Sequence, residues 1–158
     1  MPPTSFAILE RLRRPLRLGE TEDFIGLTIS EPLDLSDMAL PNIDFSGSTF
    51  EASVIARGAT FQGLAWFGGA TFKASADFTR ARFNNDANFR AARFIGDATF
   101  SSAEFSGIAC FDEAQFDGAA FLDRMMCLGS LSLDRTRFLA PASFQDSECF
   151  GGLRGNRT

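Results

Sequence analysis

The sequence predicts an all-β solenoid, in which one short strand-and-corner unit is repeated and stacked and a short helix closes the N-terminal end. Three observations predict it. Phe61, Phe72, Phe83, Phe94, Phe105 and Phe116 stand eleven residues apart, and Phe67, Phe78, Phe89, Phe100 and Phe111 form a second series between them, so the gaps alternate between six and five. A period sustained this long marks stacked copies of one unit. Alanine stands two residues before each of these phenylalanines, from Ala59 before Phe61 to Ala114 before Phe116. Small, polar or glycine residues follow the centres, as in Gln62-Gly63, Ser106-Gly107 and Asp117-Gly118.

The chain opens with a helical signal. Thr4 or Ser5 offers an N-cap, Phe6, Leu9 and Leu12 an apolar stripe, and Pro15 a stop, which together predict a helix over 4–14. Arg11, Arg13, Arg14 and Arg17 occupy the remaining surface, so 1–21 reads as a cap and linker laid on the open end of the stack. Attachment of this basic segment to a membrane surface is the competing use. No run approaches the roughly 18 apolar residues a membrane span needs, and Phe6-Ala7-Ile8-Leu9 is read as neither signal peptide nor anchor.

From Glu22 to Phe150 the repeat takes over. Extended backbone sends residues two apart to the same face, so each alanine and its phenylalanine point inward and the residue between them, such as Thr60, Thr71, Asp77, Arg82 or Asn88, points outward. Glycine after the centre supplies the positive φ that a tight corner often requires. An eleven-residue period also suits a right-handed coiled coil. Glycines such as Gly58, Gly69, Gly96 and Gly118 argue against it, because each costs about 1 kcal/mol inside a helix relative to alanine.

Stretches such as Ala70-Thr71-Phe72-Lys73-Ala74, Ala103-Glu104-Phe105-Ser106-Gly107 and Ala114-Gln115-Phe116-Asp117-Gly118 resemble the pentapeptide-repeat proteins, whose pattern is Ala, Asp or Asn, Leu or Phe, then two polar or small residues. The resemblance covers 22–150 and is clearest over 59–116. It implies a right-handed quadrilateral parallel β-helix with four five-residue sides per coil. The chain departs from that pattern by a sixth residue at every other unit, as in Lys73-Ala74-Ser75-Ala76-Asp77, which is expected to sit at a corner as a bulge and lengthens the coil to 22 residues.

Taking Phe24, Ile29, Leu35, Leu40, Phe45, Phe50 and Ile55 as the centres before Phe61 gives about six coils and a rod of roughly 29 Å, at about 4.8 Å per layer. Residues 22 apart then stack: Phe61 on Phe83 on Phe105 on Cys127, Phe50 on Phe72 on Phe94 on Phe116 on Phe138, and Phe45 on Phe67 on Phe89 on Phe111. The pattern blurs at Phe121-Leu122, either of which can be the centre, at Met125-Met126-Cys127 and at Cys149-Phe150. Cys127 and Cys149 fall on adjacent coils, close enough for a bridge to be conceivable, and buried reduced thiols are the expectation.

Composition narrows the function. The 158 residues are 45% hydrophobic with 19 Phe, one Trp and no Tyr, which fits one domain with a dry aromatic interior that leaves no hydroxyl to satisfy. With no histidine, and no CxxC among Cys110, Cys127 and Cys149, the common zinc sets and Ser-His or Cys-His nucleophiles cannot be built. No enzymatic activity, cofactor or metal is expected, and cytoplasmic, reduced thiols are the default. Charge is banded: residues 18–56 hold eight acids and no base, 57–95 six bases and two acids, 96–123 six acids and no base, and 124–158 five bases and three acids.

In a stacked coil each band becomes a belt. The expectation is a non-enzymatic rigid scaffold for a protein partner of unknown identity, with Trp66, Lys73, Arg82 and Arg93 as candidate contacts. The resemblance implies a second reading, because certain relatives imitate DNA and regulate type II topoisomerases. The basic cap supplies a third, a membrane-associated scaffold. Direct nucleic-acid binding is not expected at a net charge of −5. Thr49 and Thr71 align, but Arg93 and Gln115 follow at the same place, so the array is too short to bind ice. The polar tail 151–158 is too short to cover the last coil, which predicts a two-fold homodimer through the C-terminal coils, as the resemblance also implies.

Overall fold

The computed structural model describes residues 4–15 and 19–155. They form a four-sided parallel β-solenoid of about six coils with one helix, α1 (Ser5–Leu12), at the N-terminal end. Each side is one sheet whose neighbouring strands come from successive coils, and every pairing is parallel. Side one runs from Thr21–Asp23 to Leu153–Gly155 in seven strands. Sides two, three and four have six strands each, beginning at Thr28–Ile29, Leu33–Asp34 and Ala39–Leu40 and ending at Arg137–Phe138, Ala142–Ser143 and Glu148–Cys149.

The register read from the sequence holds along the rod. Phe72 pairs with Phe50 and Phe94, Phe94 with Phe116, and Phe116 with Phe138. Phe83 pairs with Phe61 and Phe105, and Phe105 with Cys127. Rings within a column are nearly parallel, 4.5 Å apart for Phe61 and Phe83, 4.8 Å for Phe72 and Phe94, and 5.0 Å for Phe67 and Phe89. A fourth column sets Phe78 on Phe100 at 4.9 Å and stands edge-on to its neighbour, with the Phe67 and Phe78 rings at 81°. Burying each ring stabilises the fold by about 1.5–3 kcal/mol. The aligned alanines are buried as well, Ala65, Ala87 and Ala109 in one file and Ala76, Ala98 and Ala120 in another, because four rings per coil leave room for a methyl group and little more.

Corners alternate in kind. After the second series the turn is tight, closed by the Ala70 N–H donating to the Phe67 carbonyl at 3.0 Å, and its third residue takes a left-handed φ: +67° at Gly69, +58° at Arg80, +57° at Ala91 and +61° at Glu113. After the first series the corner is wider and holds the sixth residue, and there Gly63, Gly96, Gly107 and Gly118 have ordinary φ. Their expected role is therefore corrected. These glycines are needed because backbones of adjacent coils approach closely: a Cβ on Gly118 would stand 2.5 Å from the Gly96 carbonyl oxygen, and one on Gly96 the same distance from that of Ala74.

The first coil is one residue short. Thr21 pairs with Asn42 and Thr28 with Thr49, twenty-one residues on, whereas Ile43 pairs with Ala65. The corner from Leu40 to Phe45, through Pro41, lacks the sixth residue. The Asn42 side chain bridges the gap, its carbonyl accepting the Leu64 N–H at 2.7 Å and its amide donating to Glu20 O at 3.3 Å. Ile55 is not a centre: Val54 and Ala56 face inward, so the large and small residues exchange places, and Ile55 takes the outward slot. At the blurred positions Leu122, Met125 and Cys127 are buried, Phe121 and Met126 face out, and Cys149 stacks on Cys127 while Phe150 turns to solvent. The solenoid continues past 150 into Leu153–Gly155, which pairs with Leu131–Leu133.

In α1 the Thr4 hydroxyl accepts the Ala7 N–H at 3.1 Å. Ser5, Ile8 and Leu12 face the core, and Phe6 is 65% exposed. Of the expected stripe, Leu12 is buried and Leu9 packs partly against the core, but Phe6 is corrected, because a helix repeats every 3.6 residues and a spacing of three drifts off the face. Ser5 Oγ donates to Glu31 O at 3.1 Å, and Arg11 pairs with Glu22 at 2.7 Å while lying 4.6 Å above the Phe24 ring, so the helix is fastened to the first coil. Arg17 lies outside the described residues.

The two corner types respond differently to an added methyl group. Gly69→Ala is expected to cost about 1 kcal/mol, since Ala91 already occupies the same corner one coil on at left-handed φ. Gly118→Ala, with ordinary φ, is expected to cost more, as overpacking typically costs about 1–3 kcal/mol. Urea unfolding of both variants decides the order.

Candidate interaction surfaces

The interior is filled by its own side chains, so any binding surface lies outside. Among the described residues no group of His, Cys, Asp or Glu is placed to hold a metal ion, and no helix is long and apolar enough to cross a membrane. The clefts beside α1, lined by Phe6, Glu10, Arg13 and Arg14 and by Arg14, Pro15, Glu20 and Glu22, contain no nucleophile with a base.

The charge belts meet one another. Arg57 pairs with Asp77 at 3.1 Å, Lys73 with Glu51 at 3.8 Å, Arg82 with Glu104 at 3.6 Å, Arg90 with Glu113 at 2.6 Å and Arg93 with Asp117 at 2.8 Å. Each pair joins neighbouring coils, and all but the first link the basic belt to an acidic one. They are exposed and contribute at most about 1 kcal/mol apiece. Their consequence is local neutrality: Lys73, Arg82 and Arg93, the basic candidate contacts, each already face an acid.

Several carboxylates serve the backbone instead. In the outward slot before the tight turn, Asp34, Asp44, Asp77 and Asn88 accept the N–H two residues on, at 2.8–3.0 Å. Hydrogen bonds from the Ser36 hydroxyl and N–H hold the Asp34 carboxyl below the usual range. Burial raises Asp112, but the Ser132 hydroxyl, the Asp134 N–H, the Cys110 thiol and Arg90 outweigh it and the net shift is downward. Gln115 and then Arg93 lower Asp117. Burial chiefly pushes Cys110 up, and burial with the adjoining Cys149 thiol pushes Cys127 up to about 12.

Trp66 fills one of the outward slots, half-buried, with Asp44 and Asn88 beside it on adjacent coils. Ile55, Cys110 and Phe121 are further slots without an Asx or Thr acceptor. The sequence led to the expectation that the last coil exposes apolar side chains, but it did not identify them or those of the coil before it. Phe121, Met126, Leu128, Leu139, Phe144, Phe150 and Leu153 account for seven of the eleven large apolar side chains exposed among the described residues. For Phe121 and Met126 the signal was present as the blurred register, where large residues compete for one inward slot and the loser faces solvent; Phe144 and Leu153 stand in the inward register with no further described coil over them. Beyond them, among the described residues the strands Arg137–Phe138, Ala142–Ser143, Glu148–Cys149 and Leu153–Gly155 are each paired on one side only.

A rod of repeated units with a filled core defines a solenoid repeat protein. The pentapeptide repeats (9 copies) family matches residues 35–82, 67–113 and 78–126, more than half of the sequence, and the chain belongs to the pentapeptide-repeat family. This family is generally one of non-catalytic scaffolds. No curated protein matches the chain.

Two expectations follow from these contacts. Folded-state lowering of Asp34, Asp112 and Asp117 means that the charged carboxylates stabilise the fold above their ordinary value of 3.8, and that this contribution is lost as pH falls through the lower folded values. Unfolding free energy is expected to be flat from neutral to about pH 5 and to fall below about pH 4, with a smaller acid loss in Asp112→Asn. Trp66→Asn is expected to stay within about 0.5 kcal/mol of the parent, since Asn88 holds the same slot one coil on and accepts the Arg90 N–H at 2.8 Å. A calorimetric loss several times larger would make Trp66 structural.

Proposed function

We propose that the chain is a non-enzymatic, cytoplasmic scaffold whose working surface is its C-terminal third, and that two copies meet end to end there in a two-fold dimer. The observation that carries this reading is the concentration of exposed apolar side chains on the last two coils beside four open strand edges. Exposed apolar patches of this kind mark interfaces, and open edges accept further strands. Three free thiols suit a reducing compartment.

Other readings have less support. A DNA mimic needs an unbroken acidic outline, and the middle coils interrupt it with bases paired to the acids on either side. A membrane-binding helix needs a continuous apolar face turned outward, whereas Ile8 and Leu12 are turned to the core and Phe6 stands alone.

Sedimentation of the reduced chain at micromolar concentration tests the dimer. A species of about 34 kDa, twice the 17.2 kDa chain, is expected, and Phe144→Asp and Phe150→Asp should shift it to monomer. A parent protein that sediments only at 17.2 kDa overturns the dimer.

A further inference from the structure

We propose that Cys127 and Cys149 form a reversible disulfide that fastens the last coil to the one before it, making the order of the C-terminal end responsive to thiol redox state. The two residues are direct partners in adjacent parallel strands of side four. Such strands run about 4.8 Å apart, inside the Cα separation of about 4.4–6.8 Å that a disulfide bridges. Both thiols are free, and Cys149 is near enough to help push the Cys127 thiol up. The column they end runs from Leu40 through Phe61, Phe83 and Phe105, so thiols replace rings in the final two layers. Cys110 is on side one, between Asn88 and Ser132, with no cysteine beside it in the sheet.

Exposure sets the order of events. Cys149 is half-buried and Cys127 fully buried, with its thiol shifted up to about 12. Cys149 sulfur therefore attacks an external disulfide, such as oxidised glutathione, and releases one glutathione thiolate, which takes up a proton. The Cys127 sulfur then attacks Cys149 Sγ of the mixed disulfide, releasing the second glutathione thiolate. Two protein thiols are oxidised by two electrons and one glutathione disulfide is reduced to two thiols. The high thiol character of Cys127 makes the second step slow, so closure needs disulfide in excess and time.

Fastening matters at this place because, among the described residues, the last coil has a neighbour on one side only, and segments packed on one side open most readily. Its Glu148 and Phe150 N–H groups donate to Met125 O and Cys127 O, at 2.9 and 2.8 Å, on either side of Cys149. The bridge should hold these bonds closed. On the reading proposed above, it would regulate the surface that meets a second copy.

The test uses the full chain in excess oxidised or reduced glutathione. Expected after oxidation are a mass loss of two hydrogens, one alkylatable cysteine identified as Cys110, and amide exchange at Glu148 and Phe150 slowed about tenfold or more. Cys149→Ser should abolish the slowing while leaving the reduced exchange pattern intact. Three alkylatable cysteines, a persistent glutathione adduct on Cys149, or a disulfide-linked species of twice the chain mass would each overturn the proposal. Sedimentation of the reduced protein is indifferent to all of these outcomes, so failure of the staple and failure of the dimer are separable.

Discussion

One spacing constrains the whole molecule. Hydrogen-bonded strands of successive coils stack about 4.8 Å apart, and offset aromatic rings are comfortable at about the same distance. The columns at 4.5 to 5.0 Å satisfy both at once. Each of the two middle coils must then deliver a ring to every side at the right height, from Phe67 to Phe83 and from Phe89 to Phe105, which fixes the chain length between centres. Where the first coil falls one residue short, a side chain from Asn42 completes the backbone pairing, and the register above it is undisturbed. Phenylalanine meets the constraint better than its relatives because tyrosine would bring a hydroxyl with no partner into the stack.

What was legible in the sequence follows from the same geometry. The four sides, and through them the columns 22 residues apart and the number of coils, came from the resemblance to the pentapeptide-repeat proteins, whereas the eleven-residue ruler is written into the chain and could be read directly. The corners could not. Glycine serves two purposes here, left-handed φ at Gly69 and close backbone approach at Gly118, and the second depends on what the preceding coil places opposite. Ile55 misled for a related reason: the core requires a summed volume across the paired inward slots, and Val54 with Ala56 supplies it in the reverse order. At the cap, the face of α1 was misjudged because Phe6 is the largest residue there and Ser5, which points inward, is polar and finds Glu31 O.

Charge shows how far a one-dimensional reading carries. The belts are visible in the sequence, and so is their alternation. Their partners become apparent only when a shift of about 22 residues brings the border of one belt over the next, Lys73 above Glu51 and Arg93 below Asp117. Outward charge that suggested recognition is largely answered by the neighbouring coil. The same translation explains the turn-forming acids: an outward slot before a tight corner is useful to the backbone when its side chain accepts an N–H two residues on, and slots given to Trp66 or Phe121 forgo that bond. Such slots are where the chain has departed furthest from what its own folding asks.

A solenoid has no inherent end, because each coil is covered only by the next. At the N-terminal side the problem is solved within the chain, with Ile8 and Leu12 closing the core and Arg11 tied to Glu22. The other end is managed differently. The ring column of side four gives way to Cys127 and Cys149, which present less apolar surface than two rings would, and Phe138 and Phe144 pack edge-to-face at 5.8 Å and 85° across the final layer. These substitutions shrink the exposed end without covering it, and the flank beside it becomes apolar at Leu128, Leu139 and Phe150. Exposure of apolar side chains rises along the last described coils because residues in the inward register, such as Phe144 and Leu153, have no further described coil over them.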